Sequence, residues 1–212
     1  MKKIVYMFVA VLLFASCEKE EIGGTATEVL AGQWYVHVDA VKDNGEILEV
    51  IYKKDDNGEY VLDKEGNKIV EFCGEDPFGL GNKLLLTYNT SANTSDTIFV
   101  DDLENIWNFK VKVSSNTGDR TFGNTDFADN YKYESGVKIT DGQVLSQAAT
   151  TPSGMPADSI VFYVEFDDDY MVDDEGNLVE DEEGNPVYVP KAYGFKNYRI
   201  SGYRYTGFES DN

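Results

Sequence analysis

The chain is 212 residues long, with 39 acidic against 18 basic residues, a formal charge of −21 and a mean hydropathy of −0.39. That charge excludes nucleic acid as a natural partner and makes an anionic bilayer surface repellent. One histidine and two cysteines leave little material for a metal centre or for a nucleophile with its base.

The first sixteen residues read as a secretion signal: Lys2 and Lys3, an apolar run from Ile4 to Leu13, then Phe14-Ala15-Ser16 ahead of Cys17. A spanning helix needs ~20 apolar residues, and this run is shorter and stops at a charged segment. Leu13-Phe14-Ala15-Ser16-Cys17 has the form of a lipobox, which predicts cleavage before Cys17 and acylation (palmitate among the chains) on its thiol. Two or three acyl chains hold a protein stably on a membrane, where one holds it marginally. Residues 17–29 are the lipidated tether, and Lys19-Glu20-Glu21 resembles a surface-export signal, which points to the outer face of an outer membrane. Removing the signal takes away Lys2 and Lys3 and no acid, so the mature chain has 16 bases, 39 acids and a formal charge of −23.

Residues 30–212 read as one domain. With Cys17 acylated, Cys73 is the only thiol left, so no internal disulfide can form and stability rests on the core. Period-two alternation dominates: Trp34-Val36-Val38, Leu84-Leu86-Tyr88, a strand from Ile106 to Val113 carrying Trp107, Phe109, Val111 and Val113 on one face, Ile160-Phe162-Val164-Phe166, and Tyr198-Ile200. Asn44-Gly45, Asn57-Gly58 and Asp141-Gly142 supply turns. The expectation is all-β, a barrel or a sandwich.

Two acidic stretches, at 43–72 and 167–190, carry paired tight turns. Asn57-Gly58 lies eight residues before Gly66, and Glu175-Gly176-Asn177 eight before Glu183-Gly184-Asn185. Each reads as a short strand bracketed by two tight turns, and the pair predict β-ribbons standing off the body. Glu165 to Glu183 holds eleven acids and no base, which raises the question of calcium. The EF-hand spacing fails, because Met171 and Val179 stand where the first Asp of such a loop would precede Gly176 and Gly184. No metal or other cofactor is therefore expected, and the acids read as a solvated, edge-protecting run. A Ser-His-Asp relay would have to use His37, and no Gly-x-Ser-x-Gly elbow exists to present a serine. No catalytic residue is assigned. Aromatic content is high, with two tryptophans, fourteen tyrosines and twelve phenylalanines, and Trp107, Phe109, Tyr88 and Phe162 are the candidate ligand-lining residues.

Gly32-Gln33-Trp34 has the Gly-x-Trp pattern that opens lipocalin-like barrels. With Leu86 to Asp96, Asp101-Asp102, Trp107 to Lys112 and the closing Ser201-Gly202-Tyr203-Arg204-Tyr205-Thr206-Gly207-Phe208, the chain resembles the Bacteroidota lipoprotein family named lipid-binding putative hydrolases over residues 30 to 208. The resemblance implies a calycin-like antiparallel β-barrel on a lipid tether, a hydrophobic ligand, and a hydrolase label that no residues here support. It also implies that an arginine of the last strand, Arg204 or Arg199, covers Trp34 where the first and last strands close the barrel. Three functions stay open: a non-enzymatic barrel binding a lipid-like ligand in its interior, an accessory component of a nutrient-uptake complex touching glycan or partner proteins, and a hydrolase. An open interior favours the first, and a filled one an outside surface.

Overall fold

The computed structural model describes residues 24–173 and 175–211. The expected signal, Cys17 and Lys19-Glu20-Glu21 lie outside the described residues. The strands are β1 (Gly32–Val41), β2 (Ile51–Tyr52), β3 (Val70–Phe72), β4 (Lys83–Asn89), β5 (Thr97–Asp101), β6 (Lys110–Asn116), β7 (Thr121–Gly123), β8 (Ala128–Asp129), β9 (Gly136–Thr150), β10 (Pro156–Phe166) and β11 (Asn197–Arg204). A single helical turn, α1 (Val189–Tyr193), precedes β11. Eight strands close an antiparallel barrel in the order β10, β11, β1, β4, β5, β6, β7, β9, with β9 returning to pair with β10. β8 adds to the start of β9, and β2 pairs with β3 at the base of the first ribbon.

Alternation decides which side chains enter the barrel. Trp34, Val36, Val38 and Ala40 of β1 point in and are fully buried, while Gln33 and His37 face solvent. Ile160, Phe162, Val164 and Phe166 of β10, Val111 and Val113 of β6, and Tyr198 and Ile200 of β11 do the same. An eight-stranded barrel has an interior just wide enough to be filled by side chains, and this one is filled. The packed interior overturns the expectation of a ligand held inside the barrel and favours binding at an outside surface.

Three sequence expectations need correction. Leu84, Leu86 and Tyr88 lie on the outer face of β4, while Leu85 and Thr87 point inward. A one-residue change of register moves every side chain to the other face, and both faces of β4 are apolar enough to mislead. Asp141-Gly142 is no turn but lies within β9, at a bulge where the β9–β10 register shifts between Val161 and Tyr163. Asp141 has φ 51°, and a Cβ on residue 142 would overlap the Phe122 carbonyl, so glycine lets β7 and β9 approach there. Residues 106–109 are not strand. β6 begins at Lys110, for a reason that belongs to the site below.

The two ends of the barrel differ. At one end the connections are short: 90–96, 117–120 and 151–155. Here Leu30 and Trp34 are fully buried, and Ala26 N–H donates to Asn93 Oδ1 at 3.0 Å. At the other end, the mouth, run the four long connections 42–82, 102–109, 124–135 and 167–196. These four carry 26 of the chain's 39 acids and 8 of its 18 bases.

Each acidic stretch has three legs, a short middle one bracketed by the two tight turns. Val61 N–H donates to Lys53 O, Ile69 N–H to Val61 O and Lys53 N–H to Ile69 O, closing a ring of backbone bonds at 2.9–3.0 Å. Met171, Val179 and Val187 close the same ring at 2.8–3.0 Å. The eight-residue spacing is the length of one leg and its turn. In each turn an aspartate (Asp55, Asp63, Asp173, Asp181) accepts the N–H groups two and four residues on. Those bonds, the one from the fourth residue foremost, hold the four carboxyls below the usual carboxylate range. The acids thus serve the backbone. Among the described residues no group of three or more His, Cys, Asp or Glu is arranged to hold a metal ion.

Candidate functional site

The mouth is organised by Asp102, which is fully buried. Its Oδ1 accepts N–H from Glu104 at 2.9 Å and Phe109 at 3.0 Å, and its Oδ2 accepts N–H from Trp107 at 2.7 Å and Ile106 at 3.2 Å. A carboxylate that satisfies four main-chain donors can fold 102–109 into a tight loop in place of a strand. Leu103, Glu104 and Asn108 accordingly take φ of 55°, 63° and 57°. Burial nonetheless pushes the Asp102 carboxyl up, against the pull of those N–H groups.

This loop carries Trp107 into the mouth. Its ring centroid lies 4.7 Å from Tyr198, 4.9 Å from Phe166 and 5.2 Å from Phe78. Phe195 packs on Tyr198 at 5.0 Å, and Phe72 stacks on Phe195 and on Tyr193 of α1. The rings come from three of the four long connections and the strands beside them: Phe72 and Phe78 from the first, Trp107 from the second, Tyr193 and Phe195 from the last, Phe166 from β10 and Tyr198 from β11. They form an aromatic plug between the filled core and solvent. Phe78 is 44% exposed and Trp107 half-buried, so the outer surface of the plug is open.

Carboxyls surround it. Tyr198 Oη donates to Asp169 Oδ2 at 3.0 Å, and Asp169 O accepts the Val189 N–H. Burial, with Asp168 alongside, raises the Asp169 carboxyl from 3.8 to about 6 despite the Tyr198 bond. Burial and the nearby Asp169 also push the Tyr198 and Tyr188 hydroxyls far up. Between pH 4 and 6 the folded protein therefore binds more protons at Asp169 than the unfolded chain, and stability falls as pH rises through that window. Asp168 and Asp102, also raised, act in the same direction. Asp169→Asn is expected to stabilise the protein at pH 7.5 by on the order of 2 kcal/mol after allowing for partial solvent screening. Urea unfolding at pH 5 and 7.5 checks it, since an unchanged pH dependence in the variant contradicts the assignment.

Beside the plug, a cleft of 620 Å³ opens under the 124–135 connection, lined by Phe127, Tyr131, Lys132, Tyr133 and Asp167 among others. Asn130 holds this connection, its Oδ1 accepting the Lys110 and Lys132 N–H groups, and Asp167 accepts the Gly136 N–H at 2.7 Å. Lys132 pairs with Glu104 at 3.2 Å, joining the cleft to the Asp102 loop.

Of the candidate lining residues, Trp107 lies in the plug, Phe109 and Phe162 are fully buried, and Tyr88 is on the outer wall against Phe99 and Lys110. That last placement corrects the expectation for Tyr88, because β4 turns its odd positions inward. At the opposite end the Arg204 guanidinium lies 4.3 Å over the Trp34 ring and donates to Ala31 O at 2.7 Å. A Cβ on residue 32 would overlap that guanidinium, which is why the first strand opens on glycine. Arg199 does not meet Trp34; it pairs with buried Asp39 at 2.7 Å on the outer wall. His37 stands beside them, with Ser201 Oγ at 3.3 Å and Asp39 Oδ2 at 3.4 Å, both against the same nitrogen, Nε2. A relay needs the serine and the carboxylate on different ring nitrogens. This cluster is therefore an ion pair with a neighbouring imidazole. Sequence reasoning missed Asp102, Asp169 and Phe78. The acidic run and the Asp101-Asp102 pair were visible, but nothing in their spacing marks a carboxylate that faces inward.

A family model described as lipid-binding putative hydrolase matches residues 19–209. No curated protein matches the chain.

Proposed function

The chain belongs to the family of lipid-binding putative hydrolases, and on that premise we propose that it is a non-enzymatic, lipid-anchored protein that binds a small apolar or amphipathic, lipid-like ligand at the barrel mouth. The aromatic plug carries this reading: seven rings meet there over a filled barrel, with Phe78 and Trp107 open to solvent. The adjoining cleft, at 620 Å³, falls within the ~300–1,000 Å³ of small-molecule sites. The two tryptophans supply the test, since Trp107 is at the mouth and Trp34 is fully buried at the other end. Titration with a single-chain amphiphile below its micelle concentration should shift the emission of the parent chain and leave Trp107→Phe silent. A shift that survives in Trp107→Phe, or no shift in either, is incompatible with the mouth as the site.

Anchoring completes the reading. The signal, the lipobox at Cys17 and the charged tether support acylation of Cys17, and Lys19-Glu20-Glu21 supports export to the outer face of an outer membrane. The tether enters the fold at the Trp34 end, where Ala26 bonds Asn93, so the mouth points away from the membrane. Cys17→Ala is expected to give a precursor that no longer partitions into the detergent phase, and partition unchanged at the mature mass would refute the anchor.

Two observations favour a second role, as an accessory component contacting glycan or partner proteins of an uptake complex: the barrel interior is filled, and the ribbons carry exposed apolar side chains. The ribbons expose Leu62, Val70, Val172 and Leu178, each more than half exposed. Cross-linking from ribbon cysteines on intact cells distinguishes it: a specific protein adduct supports the role and none removes it.

A further inference from the structure

We propose that the mouth selects an amphiphile with a cationic, alkylated ammonium head over one with an anionic head, the head lying between Asp169 and the open faces of Trp107 and Phe78. This inference names the ligand class for the site proposed above and rests on that reading.

The first observation is that a cation covers several of the protein's other rings, although exposed Tyr131, Tyr133, Tyr170 and Phe208 carry none among the described residues. Lys110 covers Tyr88 and Phe99 at 5.3 and 4.8 Å, Lys68 covers Tyr60 and Tyr52 at 3.7 and 5.3 Å, Lys54 covers Tyr60, and Lys138 reaches Phe127 at 6.0 Å. Even the ring at the closed end is covered, by Arg204. Among the described residues no lysine or arginine lies over Trp107, Phe78, Phe166 or Tyr198. Phe166 and Tyr198 are buried, so the rings that reach solvent here are Phe78 and, in part, Trp107, and neither is covered by a cation; aromatic faces of this kind receive alkylated ammonium groups.

The second observation is charge. Lys132 is taken by Glu104, Lys138 by Glu165, and Arg199 by Asp39, whereas Asp167, Asp168 and Asp169 have no basic partner among the described residues. Asp169 is bound at the hydroxyl end of the Tyr198 ring, the same ring that packs on Trp107 and Phe78. Lys191 and Lys196 are the two bases of the last long connection, against its ten acids. A carboxylate head brought here would meet three like charges and no counter-ion, and like-charge juxtaposition in a partly desolvated site discriminates strongly between ligands. A cationic head would meet a carboxylate and ring faces together. Its charge would also offset the desolvation that now pushes the Asp169 carboxyl up.

Three probes with the same twelve-carbon tail test this on the mature chain from Cys17 onward, carrying Cys17→Ala so that no acyl chain competes: dodecyltrimethylammonium, dodecyl maltoside and dodecanoate, each below its micelle concentration. The expected result is saturable binding of about one trimethylammonium probe per chain, at least tenfold tighter than dodecanoate, with Trp107 emission as the readout. Asp169→Asn should cut that preference severalfold while leaving maltoside binding in place. Dodecanoate binding as tightly as the ammonium probe, or a preference unchanged in Asp169→Asn, overturns the inference, the latter by assigning the effect to the acidic surface at large. If maltoside binds and no preference exists, the lipid reading stands and the head-group inference falls. If none of the three binds, both fall.

Discussion

Asp102→Ala is expected to lower the stability of the protein by on the order of 4 kcal/mol, enough to threaten folding of a domain whose whole margin is ~5–15 kcal/mol. The side chain is fully buried and accepts four main-chain N–H groups, from Glu104, Ile106, Trp107 and Phe109, at 2.7–3.2 Å. Alanine leaves those donors facing a void. An unsatisfied buried donor costs ~1–3 kcal/mol, and relaxation of the loop would let water reach some of the four. The variant that separates charge from geometry is Asp102→Asn. Its carbonyl can still serve two donors, but its amide N–H groups face the other two, so it should lose roughly half as much. Because Trp107 takes its place in the plug from this loop, both variants should also make Trp107 more accessible to a quencher such as acrylamide. Urea midpoints within experimental scatter of the parent would mean the carboxylate is not what shapes the loop.

The same carboxylate explains why part of the site was unreadable from sequence. Trp107, Phe109, Val111 and Val113 alternate as a strand should, yet only the segment from Lys110 onward pairs with β5. Period two records which side chains are apolar, and it carries no information about a buried acid five residues upstream that captures their N–H groups. β4 shows the converse failure. Its outer face carries Leu84, Leu86 and Tyr88 and its inner face Leu85 and Thr87, so hydrophobicity ranks the faces the wrong way round. Thr87 points inward because Trp34 Nε1 donates to its hydroxyl at 2.8 Å, a pairing 53 residues apart in the chain. In β10 and β11 the alternation placed the inward apolar residues Ile160, Phe162, Val164, Phe166, Tyr198 and Ile200, while buried Ala157 and Asn197 fall outside it. The ribbons were legible as turns because glycine beside asparagine, as in Asn57-Gly58 and Gly176-Asn177, states its own local chemistry. The ring that ties their three legs together was not, because three single backbone bonds leave no periodic mark.

Trp34→Ala is the second large loss expected, ~3–5 kcal/mol, the usual range for emptying a buried tryptophan site. Trp34 is fully buried, and three contacts fix it. Its indole N–H donates to Thr87 Oγ1, whose own hydroxyl donates to Leu30 O at 2.5 Å, tying the segment before β1 to β4. Its ring face is covered by Arg204, which reaches past it to Ala31 O and to Asp158, where Nε and Nη2 both lie 3.2 Å from Oδ2. Burial raises the Asp158 carboxyl, but the Gln147 N–H and the charge of Arg204 outweigh it and hold the group below the usual carboxylate range. Register puts Trp34 opposite Arg204 across β1 and β11, so this contact sits on the seam between the first and last strands. Replacing Arg204 with lysine keeps the charge but loses the planar fork that serves carbonyl, carboxylate and ring at once. If cation and ring act together, Trp34→Phe and Arg204→Lys must be non-additive. The ring contact alone is worth ~0.5–2 kcal/mol depending on burial, so the double-mutant coupling should exceed the ~0.3–0.5 kcal/mol within which independent sites add. Additive losses would assign Arg204 to its Ala31 and Asp158 bonds alone, and the indole would then be held by Thr87 and by packing.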